Sequence, residues 1–171
     1  KVKKDEVMLD PFCGIGSILQ EALLQGINVI GIDNETQAIN GARKNLEWGK
    51  FSRQNYKLMQ DDSRKVKFDK VDVMVSEPNL GETLKNTINE GKAQMIFKNY
   101  EHLMIAVLNN VKKNVKGLMV FTAPKILIFN KKRVSCNIDN ITKFTGLKLI
   151  SRHEEYRYDQ VVGRDIFVLR S

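Results

Sequence analysis

Cysteine, tryptophan, histidine and proline are all scarce in this 171-residue chain, at two, one, two and three copies. Cys13 and Cys136 stand far apart, which excludes a disulfide framework and paired thiolate ligands and points to a reducing cytoplasm. His102 and His153 have no ligand-type neighbours at metal-binding spacing, so no metal site is expected. No apolar run approaches the roughly 20 residues that span a bilayer, and no signal peptide opens the chain. No membrane partner is expected.

Acidic residues are also in deficit, 20 against 28 Lys and Arg, for a net charge of +8. The excess is clustered at residues 1–4, 64–70, 112–116 and 131–133. It favours a polyanionic partner, although a lysine-rich solvated surface has the same composition. The remaining balance, 42% hydrophobic and 28% charged, is that of one globular domain spanning residues 1–171. Lys1 is not an initiator Met and the first apolar run begins at Val7, so the chain is expected to be a piece of a longer protein.

The apolar pattern alternates between strands and helices. Short runs at 7–9, 28–33, 56–59, 71–75, 117–122, 147–151 and 166–169 read as strands. Helical spacing follows Ser17, a candidate cap, and recurs over 35–48, 93–110 and 139–145, the last closed by Gly146. Residues 124–137 carry no decisive pattern. Such alternation predicts an α/β, Rossmann-like doubly wound sheet of mainly parallel strands.

Between the first strand and first helix lies Asp10-Pro11-Phe12-Cys13-Gly14-Ile15-Gly16-Ser17. Gly14 and Gly16 permit a sharp turn and close approach of a ligand, and a helix start suits a carboxylate or phosphate. A dinucleotide fingerprint would have glycine where Leu19 stands, which argues against a nicotinamide or flavin enzyme. Asp33 ends the second strand, where an acidic side chain can hold both hydroxyls of a ribose; a carboxylate capping the next helix is the weaker reading, because Asn34 could also serve as that cap. Asp61, Asp62 and Ser63 follow the third strand, beside an adenine or as a solvated turn. Cys13 reads as a small buried residue, and Trp48 as a packing residue.

The string Asp10–Ala22 resembles the cofactor motif of S-adenosylmethionine-dependent methyltransferases fused to an RNA-binding THUMP domain, which methylate guanine exocyclic amines in RNA. Gly31-Ile-Asp-Asn34, residues 41–46 and the closing segment 161–169 are similar to further motifs of that family. The resemblance implies seven strands with an antiparallel last one, and S-adenosylmethionine as cofactor. Gly14 and Gly16 would line its methionine portion, Asp33 its ribose and Asp62 its adenine amine. Asp10, Pro11, Phe12, Asn34, Asp61 and Ser63 complete the expected cofactor site. It also implies tRNA as partner and an RNA-binding domain upstream.

After the fourth strand the family carries Asp or Asn, two prolines and an aromatic residue; here stand Ser76, Glu77, Pro78 and Asn79. These four are the candidate catalytic residues. A guanine amine is a poor nucleophile, so Ser76 or Glu77 would have to accept its hydrogens. Asn79 offers no ring to stack on the base. Amino methylation of ribosomal RNA or DNA, and a catalytically inactive domain that binds cofactor and RNA, are the alternative readings.

Overall fold

The computed structural model describes residues 3–79 and 84–171. In order, the elements are β1 Val7–Asp10, α1 Ser17–Leu24, β2 Asn28–Asp33, α2 Thr36–Trp48, β3 Tyr56–Gln60, β4 Val73–Ser76, α3 Glu90–Val111, β5 Met119–Leu127, β6 Arg133–Ser135, α4 Ile138–Thr145, β7 Lys148–Glu155 and β8 Val162–Arg170. The strands form one sheet in the order β3-β2-β1-β4-β5-β8-β7, with β6 paired to β5. β1 through β5 run parallel, and β8 is antiparallel to both β5 and β7. This is the expected Rossmann-like sheet with an antiparallel last strand.

Successive residues along the inner strands pack on opposite faces. Met8, Val29 and Val73 join a core with Leu19, Ala22, Leu23, Ile39 and Leu46 of α1 and α2. Leu9, Ile30 and Met74 join another with Phe97, Tyr100, Met104 and Leu108 of α3 and Ile141 of α4. Burying one side chain of the size of Phe97 or Met104 contributes about 1.5–3 kcal/mol. Helices cover both faces of the inner parallel strands, so ligands are expected at the ends of those strands.

The structure departs from the sequence reading in three places. Eight strands are present among the described residues, because residues 124–137, undecided in sequence, extend β5 and supply β6. Pro124 is tolerated inside β5 because it follows the last β4 pair, Ser76–Phe121, and precedes the first β6 pair at Lys125. Leu127 donates its N–H toward the β8 side, to Val161 O, so by alternation the Pro124 nitrogen faces that gap. The Tyr100 hydroxyl fills the gap by donating to the Thr122 carbonyl. Ser17 does not cap α1; Gly16 takes that position in the left-handed conformation, with no side-chain cap. Trp48 is 85% exposed rather than packed, because α2 turns it away from the sheet. Among the described residues no helix is long and apolar enough to cross a membrane.

Candidate active site

The open edge of the parallel strands is built on three aspartates. Asp10 ends β1, Asp33 ends β2, and Asp62 follows β3 by two residues. Each carboxylate accepts the backbone N–H two residues on, from Phe12 at 3.0 Å, Glu35 at 3.0 Å and Arg64 at 2.9 Å. This side-chain bond replaces the strand ladder and turns the chain off the sheet. The turns are then tied together. Asp33 Oδ2 accepts Gly14 N–H at 2.9 Å, Asp33 O accepts Asp61 N–H at 3.1 Å, and Ser63 Oγ donates to Pro11 O at 2.6 Å. Asp33 therefore braces the approach to α2 as well as the glycine turn, while the N-cap of α2 is Glu35 and has no side-chain cap from Asp33 or Asn34.

Gly14 and Gly16 both have positive φ, +52° and +86°. A Cβ on Gly14 would meet nothing within 4 Å, so the turn faces open space there. At Gly16 a Cβ would come within 3.3 Å of Ala42, which holds α1 close to α2. The first N–H groups of α1 have no side-chain cap and point out of the turn, a place for a carboxylate.

Beside the turn lies a cavity of about 310 Å³. Phe12, Leu103 and Val107 form its apolar wall, and Pro11, Asn34, Asp61, Asp62, Ser63, Arg64 and Asn79 complete the lining. Arg64 grips the Asp62 carboxylate through Nε at 2.9 Å and Nη2 at 2.7 Å. Those bonds hold the carboxyl down at about 2, so it is ionised and already occupied by a partner. Cys13 is buried beneath the turn, and desolvation pushes its thiol up to about 12, which leaves it inert.

Across from the glycine turn, β4 delivers the second group of predicted residues. Ser76 is buried and donates its hydroxyl to Asp10 Oδ1 at 2.6 Å, joining the ends of β4 and β1. Asp10 is only 1% exposed, and burial raises its carboxyl from an ordinary 3.8 to about 6, against the lowering effect of the Ser76 and Phe12 bonds. Pro78 is buried, whereas Glu77 and Asn79 are exposed. Glu77 Oε1 pairs with Arg164 Nη2 at 2.7 Å. Among the predicted residues, Pro11, Phe12, Asn34, Asp61, Asp62, Ser63 and Asn79 share the cavity wall. Gly14, Gly16 and Asp33 form the turn beside it, Asp10 and Ser76 lie beneath, and Glu77 stands apart in its pair with Arg164.

Sequence reasoning did not single out Arg64, Leu103, Val107 or Arg164 as site residues. Arg64 sat in a basic cluster and Arg164 inside the closing strand; neither the ion pair to Asp62 nor the one to Glu77 has a sequence signature. Leu103 and Val107 read simply as the inner face of α3.

Residues 2–160 match the family model described as "Methyltransferase domain". The chain is 31% identical over 129 residues to the tRNA (guanine(10)-N2)-dimethyltransferase of Methanothermobacter thermautotrophicus, covering 74% of this chain and 35% of that protein. It is likewise 31% identical over 132 residues to the tRNA (guanine(10)-N2)-dimethyltransferase of Methanocaldococcus jannaschii, covering 73% and 34%. The chain thus spans about a third of the length of these relatives. Among solved structures, TrmN from Thermus thermophilus superposes with a TM-score of 0.71 at 17% identity, over 99% of this chain and 45% of that one.

Proposed function

Since the chain belongs to the methyltransferase-domain family, we propose that it uses S-adenosylmethionine to methylate a guanine exocyclic amine in tRNA, as the catalytic part of a longer cytoplasmic protein with an RNA-binding domain upstream. The carrying observation is one juxtaposition. An open glycine turn and an uncapped helix start lie next to Asp33, across β1 from the Ser76–Asn79 loop.

The residues present suit the cofactor. The free N–H groups of α1 match its carboxylate, the remaining lone pairs of Asp33 match the ribose hydroxyls, and Phe12, Leu103 and Val107 offer an apolar slot for adenine. The ionised Asp62 accepts the adenine amine once Arg64 swings aside. Arg64 is largely exposed, so parting that pair costs little. When bound, the cofactor supplies a methyl group activated by a positively charged sulfur.

The chain's own contribution is to place and prepare the amine. Ser76 is buried and its proton is committed to Asp10, so it serves to fix the loop. Glu77 is the reachable carboxylate. Its pair with Arg164 is solvent-exposed and worth about 0–1 kcal/mol, weak enough to be exchanged for the hydrogens of a guanine amine. Taking Pro78 as the family's first proline puts Glu77 in the place of the Asp or Asn. The aromatic position then falls on Leu80, outside the described residues. Accepting the amine's hydrogens localises its lone pair for in-line attack.

Calorimetry tests the cofactor half of this reading. S-adenosylmethionine binds and NAD does not, and Asp33→Ala weakens binding by about tenfold or more, since hydrogen bonds to charged groups contribute about 1.5–3 kcal/mol each. Preferential NAD binding would overturn the reading. In the complete gene product acting on tRNA, Glu77→Ala lowers kcat about 10²-fold with cofactor affinity unchanged. Cofactor binding without methyl transfer to any RNA would mark a non-catalytic domain.

A further inference from the structure

A second cavity, of about 670 Å³, lies at the carboxyl end of β5. β5 pairs with β4 up to Phe121, opposite Ser76, and then runs on to Leu127, about 20 Å beyond at ~3.3 Å per residue. At that tip Ile128 bridges Ile88 in parallel, and Phe129 N–H donates to Ile88 O at 3.1 Å. Asn79 lines the first cavity and Thr87 the second.

The lining is aromatic and cationic. Phe129, Tyr156 and Tyr158 contribute rings, Lys131 and Arg133 contribute charge, and none of the lining residues is acidic. Phe129 is 67% exposed and Tyr158 99% exposed, so neither ring contributes its face to the core. The platform is nonetheless braced. The Arg133 guanidinium lies 4.2 Å from the Tyr156 ring centroid. Its Nη2 donates to the carbonyls of Arg157, Tyr158 and Gln160 at 3.0, 3.4 and 2.7 Å, holding the β7–β8 turn that carries both tyrosines.

Exposed rings interleaved with cations, in a chain of net charge +8, match a strand with stacking bases and phosphates rather than an apolar peptide. We propose that this cavity binds unpaired nucleotides of the RNA that carries the target base, with Phe129 and Tyr158 stacking on bases and Lys131 pairing with phosphate. The proposal rests on the methyltransferase reading for the identity of the RNA, but the platform itself is tested by binding alone.

The probe is a short, fluorescently labelled single-stranded RNA of mixed sequence, compared with a duplex of the same composition. The combined variant Phe129→Ala/Tyr158→Ala binds the single strand about tenfold or more weaker, with its salt dependence retained and duplex binding unchanged. Lys131→Ala lowers the slope of log affinity against log salt by about one. A thiouridine-bearing strand crosslinks to Phe129 or Tyr158 on irradiation, as mapped by mass spectrometry. Thermal melting and S-adenosylmethionine affinity stay at wild-type values, because the substituted rings are exposed and outside the cofactor cavity. Wild-type RNA affinity in the double variant, or crosslinks confined to other faces, overturns the proposal. Loss of a protein complex with RNA binding intact also overturns it and assigns the surface to a protein. Failure of the wild-type protein to bind S-adenosylmethionine would instead sink the enzyme reading and leave the platform result standing.

Discussion

The two halves of the sheet hold their functional residues by different physics. In the β1–β3 half, each aspartate fixes its own turn through a backbone N–H two residues away, and the turns then bond to one another. In the β4–β8 half, the ties are ion pairs between distant segments: Glu77 to Arg164, Lys125 to Glu154 at 2.7 Å, and Arg152 to Asp165 at 3.0 Å. Local bonds make a pocket whose shape is set by short strings of sequence. Long-range charge pairs make a surface that depends on the whole sheet being assembled, and whose exposed members can change partners. The first arrangement suits an invariant small ligand. The second suits a macromolecule that must be admitted and released.

The sharpest way to break this contrast is at Asp165. It is fully buried (0% exposed) and faces both Arg152 and Lys125, itself buried. Removing one partner of a buried charge pair typically costs about 3–5 kcal/mol. Asp165→Ala should therefore lower the unfolding free energy by that order in denaturant titration. A loss below about 1 kcal/mol would show that Glu154 alone compensates the two cations.

A second test addresses the junction of the halves, Asp10 under Ser76. Its carboxyl titrates at about 6 in the folded protein against an ordinary 3.8, so the folded state favours the protonated form. Stability from this group is greatest below about pH 4 and is lost as pH rises through 6. The difference amounts to about 3 kcal/mol at ~1.4 kcal/mol per pH unit. Asp10→Asn keeps an acceptor for Ser76 and Phe12 but cannot titrate. Unfolding measured from pH 4 to 7 should fall more steeply for the wild type than for the variant. Parallel curves would show that Asp10 is ionised throughout.

The smallest effect is expected at Arg64, where the local half borrows the device of the other. Its pair with Asp62 is exposed, and Arg64→Ala should leave the denaturant unfolding midpoint close to that of the wild type. Freed of that competitor, Asp62 should bind the adenine amine more readily, and calorimetry should show S-adenosylmethionine affinity raised a few-fold. Weakened binding would mean that Arg64 itself holds the cofactor.

Much of the β1–β3 half was legible in sequence because each of its turns is built locally. Gly14 and Gly16 need only their own positive φ, and Asp10, Asp33 and Asp62 each turn the chain through a bond to the N–H two residues on, although the ties of Asp33 to Gly14 and of Asp10 to Ser76 reach farther. The strand–helix alternation likewise follows from periodicity, and it placed α3 and α4 to within a few residues of their observed ends. The string Asp10–Ser17, with Leu19 where a dinucleotide fingerprint would have glycine, argued against a nicotinamide or flavin enzyme and directed attention to the edge where β1 ends.

Only the tertiary structure decided what the β4–β8 half does with its charges. Ser76 and Glu77 are neighbours in sequence, yet the strand's alternation buries one against Asp10 and presents the other to Arg164, 87 residues away. Residues 124–137 looked irregular because Pro124 and the charged Lys125 break the usual strand pattern. They form β5 and β6 because Pro124 meets a gap in pairing and Lys125 meets two carboxylates. Phe129, Arg133 and Tyr158 come together because β5 and β8 pair along their full length, and no window of sequence contains all three. Backbone-directed bonds are encoded where they act; charge and aromatic groupings across a sheet exist only once its register is set.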